Sequence, residues 1–115
     1  MSTEKIPLLT LTVIAAAAIV AETFVTATGA VPTQGVNVLG VANSAAASGD
    51  ALAVQSDGVA VVVSGGTFVV GDAISTDVAG KAIKAPGAAP NAIVGRALDA
   101  SSAAGQRVRV KLIPN

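Results

Sequence analysis

Apolar and polar side chains alternate near the start of the chain, in the segment LLTLTVI from Leu8 to Ile14. An alternation of period two places successive side chains on opposite faces of an extended backbone, and β-branched residues favour that conformation. The pattern therefore predicts a β-strand. The alanines of Ala15–Ala18 allow either a short helix or a bend of small residues before a second predicted strand, Thr23–Ala27.

Beyond Gly35 the pattern predicts short strands separated by turn residues. They cover Val36–Ala42, Ala51–Gln55, Val59–Ser64, Thr67–Val70, Ala92–Leu98 and Gln106–Ile113. Asp57-Gly58 predicts a hairpin, because Asp-Gly is a strong hairpin signal. Asp77–Gly80 predicts a type I turn whose glycine takes a positive φ, and residues 86–91 predict a loop. Turn signals about every eight to twelve residues are typical of an all-β fold, so we predict a small β-barrel or β-sandwich.

Two parts of the chain have similar patterns. Val38–Ala42 is followed by NSAAASGDALAV, and Ile93–Ala97 is followed by LDASSAAGQRVRV. Each unit consists of a strand, a connection of small residues, a glycine with a polar residue, and an alternating strand. Two units are fewer than the roughly three that a solenoid requires. We interpret them as similar strand–loop–strand units of one domain, and two unrelated loops rich in alanine and glycine remain the alternative.

The length and composition suit one domain that buries part of its surface against other protein. A chain of 115 residues is sufficient for a single core. We expect an N-terminal arm of residues 1–7 and a β domain of residues 8–115. Only 12% of the residues are charged, whereas about 25% is usual. So few charges cannot cover a free monomer, and we expect contact with further copies or with a larger body.

The apolar run at the N-terminus has two other interpretations. A membrane span needs about 20 apolar residues, and the run from Ile6 to Ala21 is shorter and ends at Glu22. A secretion signal would fit Lys5, the apolar run and the small residues behind it, although Glu4 offsets the charge of the lysine. We favour the strand, and we keep the signal and the anchor as alternatives.

The charged and reactive residues exclude several classes of function. Seven basic and seven acidic residues leave no surplus with which to neutralise phosphates, so we expect no nucleic-acid partner. The chain has no histidine, cysteine or tyrosine, and therefore lacks the usual general bases and thiol ligands. Its acidic residues are scattered and lack the spacing of an EF-hand. We expect no enzymatic activity, no metal and no cofactor.

The last predicted strand carries three cations at alternate positions, Arg107, Arg109 and Lys111. The residues between them are aliphatic, so the cations share one face of the strand. One interpretation is a contact surface for an acidic partner. The other is a solvated face that keeps the sheet soluble and discourages pairing with other strands.

The order of several short motifs resembles the small capsid decoration, or cement, proteins of tailed bacteriophages. The motifs are LGVANSAAASGDALAV, DGVAVV, GDAISTDVAGKAI and IVGRALDASSAAGQRVRVKL, and AETFVTATG resembles the opening strand and turn of that family. The matching positions are Gly40-Val41-Ala42, Gly49, Gly71-Asp72, Ile74, Asp77, Gly80-Lys81, Gly95, Ala97-Leu98, Gly105, Val108, Val110 and Leu112. The resemblance covers the chain from about Leu11 onward.

The resemblance implies a β-rich virion protein, made in the host cytoplasm, that binds the outer surface of an assembled capsid and stabilises it. It implies the major capsid protein as partner, a homo-oligomer that is a trimer rather than a dimer, and no catalysis, cofactor or membrane. It assigns no contact residues. From the polar N-terminus and the basic strand we expect partner contacts at Ser2, Thr3, Glu4, Lys5, Ile6, Arg107, Arg109 and Lys111. A secreted or surface-layer β protein with a cleaved signal is the alternative function.

Overall fold

The computed structural model describes residues 6–85 and 92–113, and this part of the chain contains eight strands and no helix. The strands are β1 (Ile6–Ile14), β2 (Phe24–Val25), β3 (Gly40–Ala42), β4 (Ala51–Val63), β5 (Ala73–Thr76), β6 (Ala82–Lys84), β7 (Gly95–Ala97) and β8 (Arg107–Leu112). All pairings between these strands are antiparallel. The predicted all-β class is confirmed.

The strands form one sheet that closes almost completely on itself. Neighbouring strands follow the order β2-β3-β4-β8-β7-β5-β6, and β1 pairs with β4 outside this path. The two ends of the path meet, because the backbone N–H of Phe24 in β2 donates to the carbonyl oxygen of Gly80 at 2.7 Å, two residues before β6. Ser64, directly after β4, also forms a bridge with Ala82 in β6. The result is a small barrel-like sheet rather than two separate layers.

The longest strand, β4, has 13 residues and holds the other strands in place. Its residue Val59 pairs with Ile6 of β1 on one edge and with Lys111 of β8 on the other. Gln55 likewise pairs with Thr10 of β1 and with Val41 of β3. Strands β3 and β8 therefore share one edge of β4, and β1 occupies the opposite edge.

The hairpin predicted at Asp57-Gly58 is wrong, since β4 continues through both residues. Gly58 has a φ of 96°, and its N–H donates to Oδ1 of Asp57 at 2.8 Å. The register with β1 shifts around Leu9, opposite this point. These features describe a β-bulge, which uses the same left-handed glycine as a turn but leaves the strand direction unchanged. The side-chain amide of Gln55 donates to two carbonyls at the bulge and stabilises it.

The other predicted elements agree with the structure to different degrees. The strands at both ends are confirmed as β1 and β8, and Ala15–Ala18 forms a bend rather than a helix. The turn before Gly80 is confirmed by a φ of 78°, and Oδ1 of Asp77 accepts hydrogen bonds from two backbone N–H groups there. The predicted strand Thr67–Val70 is reduced to one bridge. The predicted loop 86–91 lies outside the described residues.

The two similar sequence units correspond to two similar halves of the fold. In this part of the chain the first half comprises β1 to β3 and the start of β4, and the second comprises the end of β4 and β5 to β8. Matched contacts are the pairs Ile14–Ala51 and Val63–Arg107, the bridges Ile19–Ala46 and Phe68–Ser101, and the backbone bonds Leu39–Val25 and Val94–Ile74. Strand β4 therefore contributes to both halves, and the interpretation of two similar strand–loop–strand units in one domain is confirmed.

Small aliphatic side chains fill the interior in two clusters. The first is formed by Ala15, Ile19, Val25, Ala42, Leu52 and Val54. The second is larger and is formed by Phe24, Val38, Val41, Ala60, Val62, Phe68, Ile74, Ala82, Val94, Ala97, Val108, Val110 and Leu112. Few of these side chains are large. The strands must therefore lie close together for the interior of the barrel to be densely packed.

Gly40 in β3 offers a test of this close approach. A Cβ atom at Gly40 would overlap the backbone carbonyl of Gln55 in β4, whereas a Cβ at Gly66 would have no neighbour within 4 Å. We expect Gly40→Ala to lower the free energy of unfolding by about 2–3 kcal/mol. The matched control Gly66→Ala should change it by less than about 0.5 kcal/mol. Urea denaturation measures both, and equal stability of the two variants would contradict the close packing of β3 on β4.

Candidate interaction surface

The alternation predicted for the last strand is present in β8. Val108, Val110 and Leu112 are buried in the second core cluster, and the cations between them lie on the opposite face. The pairing with β4 places this face next to alternate valines of that strand. The structure thus brings the three predicted basic residues to one surface, but it gives each of them a different environment.

Arg107 forms an ion pair within its own chain. Its Nη2 atom lies 2.6 Å from Oε2 of Glu22, and its Nε donates to both carboxylate oxygens at 3.1 and 3.2 Å. The hydrogen bond with Glu22 raises the pKa of Arg107 above its usual value. Glu22 has a φ of 63°, and it is the one non-glycine residue with a positive φ in the described part of the chain. A strained backbone position therefore presents this carboxylate to the arginine.

Arg109 forms a second and more sheltered ion pair. Its Nη2 and Nε atoms donate to the two oxygens of Asp99 at 2.9 and 3.0 Å, and its backbone N–H also donates to Asp99 at 3.0 Å. The two side chains are only 26% and 16% exposed. The hydrogen bond from Arg109 lowers the pKa of Asp99, and it outweighs the opposing effect of partial burial. This pair fixes the connection between β7 and β8 against the sheet.

Lys111 lies beside another cation instead of a carboxylate. It is directly opposite Arg96 of β7 in the antiparallel register, and both residues are exposed. Arg96 donates to the backbone carbonyl of Gly71 at 3.3 Å. Like charges at directly opposed positions of a sheet are destabilising. The repulsion between Arg96 and Lys111 therefore lowers the stability of the fold. Both residues are exposed and lie within strands, so neither burial nor a turn requires a cation at these positions.

Arg96 and Lys111 line a groove with a volume of about 660 Å³, which we call the cationic groove. Its other lining residues are Asp57, Val70, Gly71, Ala97, Leu98, Leu112 and Ile113. A second groove of about 230 Å³ shares Asp57 and Ile113 with it and extends to Leu9 and Leu11 of β1. The two grooves form one continuous and largely apolar surface, of the kind that marks an interaction site.

Strand β1 borders this surface and has an open edge. In the part of the chain that the structure describes, β1 pairs only with β4. Leu9, Leu11 and Ile14 are 49%, 39% and 60% exposed. An edge strand with apolar side chains and unpaired backbone groups can accept another strand or pack against another subunit.

The predicted N-terminal contacts lie mostly outside the described residues. Ser2, Thr3, Glu4 and Lys5 belong to the part that is not described, and Ile6 is the first residue of β1. Sequence analysis missed Arg96, which the register of β7 and β8 places beside Lys111. A signal for it was present, because IVGRAL and RVRVKL are neighbouring predicted strands that each place a cation on the outer face.

The described residues show no arrangement typical of a metal site. Nowhere in that part do three or more acidic side chains come together as metal ligands could. Over the same residues no helix combines the length and hydropathy needed to cross a membrane. Within residues 6–85 and 92–113, the surface offers apolar grooves, two ion pairs and one pair of adjacent cations.

Comparisons with known proteins show a matching family model and similarity to solved structures. The family model described as phage cement protein matches residues 3–112. The crystal structure of the N base of the head fiber gp8.5 of bacteriophage phi29 matches with a TM-score of 0.72 and 20% sequence identity, over 91% of this chain and 93% of that one. No curated protein matches the sequence. At this identity the likeness to the head fiber base concerns the fold alone.

The Asp99–Arg109 pair predicts a dependence of stability on pH. The pKa of Asp99 is lowered in the folded chain, so its stabilising effect is complete above the unfolded value of 3.8 and is lost as the pH falls through the folded pKa. We expect Asp99→Asn to lower the free energy of unfolding at pH 7 by about 1–3 kcal/mol. The difference from the unmodified protein should narrow below about pH 4.

Urea denaturation between pH 7 and pH 2 measures this difference. Glu22→Gln is the matched control, because its partner Arg107 is 57% exposed and the pair should contribute less to stability. A difference for Asp99→Asn that stays constant down to pH 2 would contradict the assignment.

Proposed function

The chain belongs to the phage cement protein family, and from this premise we propose that it binds the outer surface of an assembled capsid and stabilises the shell. It is a structural protein of the phage capsid. The observation that carries the proposal is the family match over residues 3–112, which includes every strand of the fold. The partner on this proposal is the major capsid protein, and the protein acts without catalysis.

The surface chemistry supports binding through many repeated contacts. The exposed apolar side chains are aliphatic, and the whole chain contains neither tryptophan nor tyrosine, the usual anchors of a tight one-to-one interface. A single weakly binding subunit adds little to a shell. Copies linked to one another and bound at repeated sites gain strength from multivalency, because each further contact is intramolecular.

We propose further that the protein is a homo-oligomer, and a trimer rather than a dimer. The open edge of β1 and the exposed Leu9 and Leu11 support association between copies, since burial of this surface removes apolar area from water. For the shell itself we propose contacts from the N-terminal residues Ser2, Thr3, Glu4, Lys5 and Ile6 and from the basic face of β8, Arg107, Arg109 and Lys111.

Shell binding is tested with capsids from which the protein has been removed. Purified protein should sediment with these capsids and saturate at a fixed number of copies per shell. The same capsids should then withstand higher temperature, because subunits that bridge neighbouring shell proteins oppose their separation. Sedimentation gives the occupancy, and release of the packaged DNA gives the stability. Absence of saturable binding would contradict the proposed function.

Association through β1 is tested by the mass of the free protein. We expect light scattering after size-exclusion chromatography to give the mass of a trimer. Leu9→Lys with Leu11→Lys should reduce the mass to that of a monomer, because charges cannot be buried there without a partner. Val78→Lys is the matched control, since Val78 is 67% exposed on the turn between β5 and β6. A monomeric unmodified protein, or an unchanged mass in the double variant, would contradict this role of β1.

A further inference from the structure

The two halves of the fold carry pockets at equivalent positions. The pocket of the first half has a volume of about 200 Å³ and is lined by Glu22, Val41, Ala42, Asn43, Gln55, Val61 and Arg107. The equivalent of this pocket in the second half is the cationic groove. Matched backbone bonds establish the equivalence, because the N–H of Glu22 donates to Ala42 as the N–H of Gly71 donates to Ala97.

The pocket of the first half has an ion pair of the chain itself in its wall. Arg107 of β8 and Glu22 both line the pocket and form a bidentate ion pair with each other. The two charges neutralise each other within the chain. The first half thus shows how this position of the fold accommodates a charged side chain from a neighbouring strand.

The cationic groove, in contrast, has more cations than acids in its lining, and its two cations form no ion pair with a carboxylate among its described lining residues. Gly71 occupies the position of Glu22, so the carboxylate is missing. Arg96 and Lys111 occupy the positions of Val41 and Gln55 and add two cations. Among the described residues that line the groove, Asp57 is the one acid, and it already accepts the N–H of Gly58. The groove is also more than three times as large, at about 660 Å³ against about 200 Å³.

We propose that the cationic groove binds an acidic, extended segment of the major capsid protein, with a carboxylate of that segment between Arg96 and Lys111. The inference rests on the proposed function and names the site through which it acts. A carboxylate there would turn the repulsion between two opposed cations into two attractive contacts. The apolar walls would cover an aliphatic side chain of the segment and keep water from the charges, which strengthens the contacts.

The exposed apolar residues at the groove favour a peptide segment over a small free anion as the occupant. Val70 is 61% exposed and Ile113 is 36% exposed, and both lie beside the two cations. A small anion would leave these side chains in water. A peptide segment with a carboxylate and an apolar residue matches both properties of the groove.

The acidic residues of this chain favour a segment of another protein over a second copy. Within the described residues every carboxylate already accepts hydrogen bonds from its own chain. Glu22 and Asp99 form ion pairs with arginines. The others accept backbone N–H groups, and these are Asp50, Asp57, Asp72 and Asp77. Each carboxylate that a second copy could bring from these residues already has a partner within its own chain, whereas a carboxylate of a shell segment need not.

The test combines Arg96→Gln with Lys111→Gln and measures binding to capsids that lack the protein. We expect affinity for the shell to fall at least about tenfold, and the dependence of binding on salt to weaken. The same substitutions remove a repulsion, so the temperature of unfolding should stay equal or rise. Lys81→Gln with Lys84→Gln is the matched control, because it removes the same charge from the turn and strand around β6 and should leave binding unchanged.

The other outcomes separate this inference from the proposed function. If the unmodified protein and the Arg96/Lys111 variant bind shells equally, the groove is not the contact, and the proposed function stands. If the unmodified protein does not bind at all, the proposed function fails. A variant that loses binding and also unfolds at lower temperature would show a structural role for the two cations. A variant whose oligomer dissociates would show that a second copy fills the groove, and either result overturns the proposal.

Discussion

The continuity of β4 through its bulge is the constraint on which the rest of the structure depends. One strand of 13 residues pairs with β1 on one edge and with β3 and β8 on the other, and so it joins both halves of the fold. Gly58 supplies the left-handed backbone, and the side-chain amide of Gln55 donates to the backbone carbonyls of Asp57 and Val59 at the bulge. A turn at this point would end the strand before the residues that pair with β8, so the two halves would no longer share one strand.

The duplication of the fold allows two equivalent positions to serve different purposes. In the first half, Glu22 holds Arg107 and completes the domain from within. In the second half, a glycine replaces that acid and two cations face each other across β7 and β8. The same backbone arrangement thus carries an ion pair in the first half and two adjacent cations in the second half. The ion pair stabilises the fold, which is a sufficient reason for its presence. For the two adjacent cations we offer a different reason, which is an external partner of opposite charge.

Composition and fold together agree with the role of a structural capsid protein. Small aliphatic residues let strands approach closely, as Gly40 does against β4, and they leave few large side chains for a tight binding site. The described surface instead offers an open strand edge, apolar grooves and a few charges. Such features are effective when many copies act on a repeating lattice, because each contact need only be weak.

The sequence by itself determined the local features of this protein. Alternation predicted β1 and β8, the turn at Gly80 followed from its glycine, and the order of short motifs indicated the family, because each depends on residues close together in the chain. Tertiary structure decided those features that depend on contacts between residues distant in the chain. Asp57-Gly58 became a bulge because β1 pairs on both sides of it. Arg109 is engaged because Asp99 folds back on it, and Lys111 faces Arg96 because of the register between β7 and β8. Such pairings join distant residues, and no local pattern encodes which strands will meet.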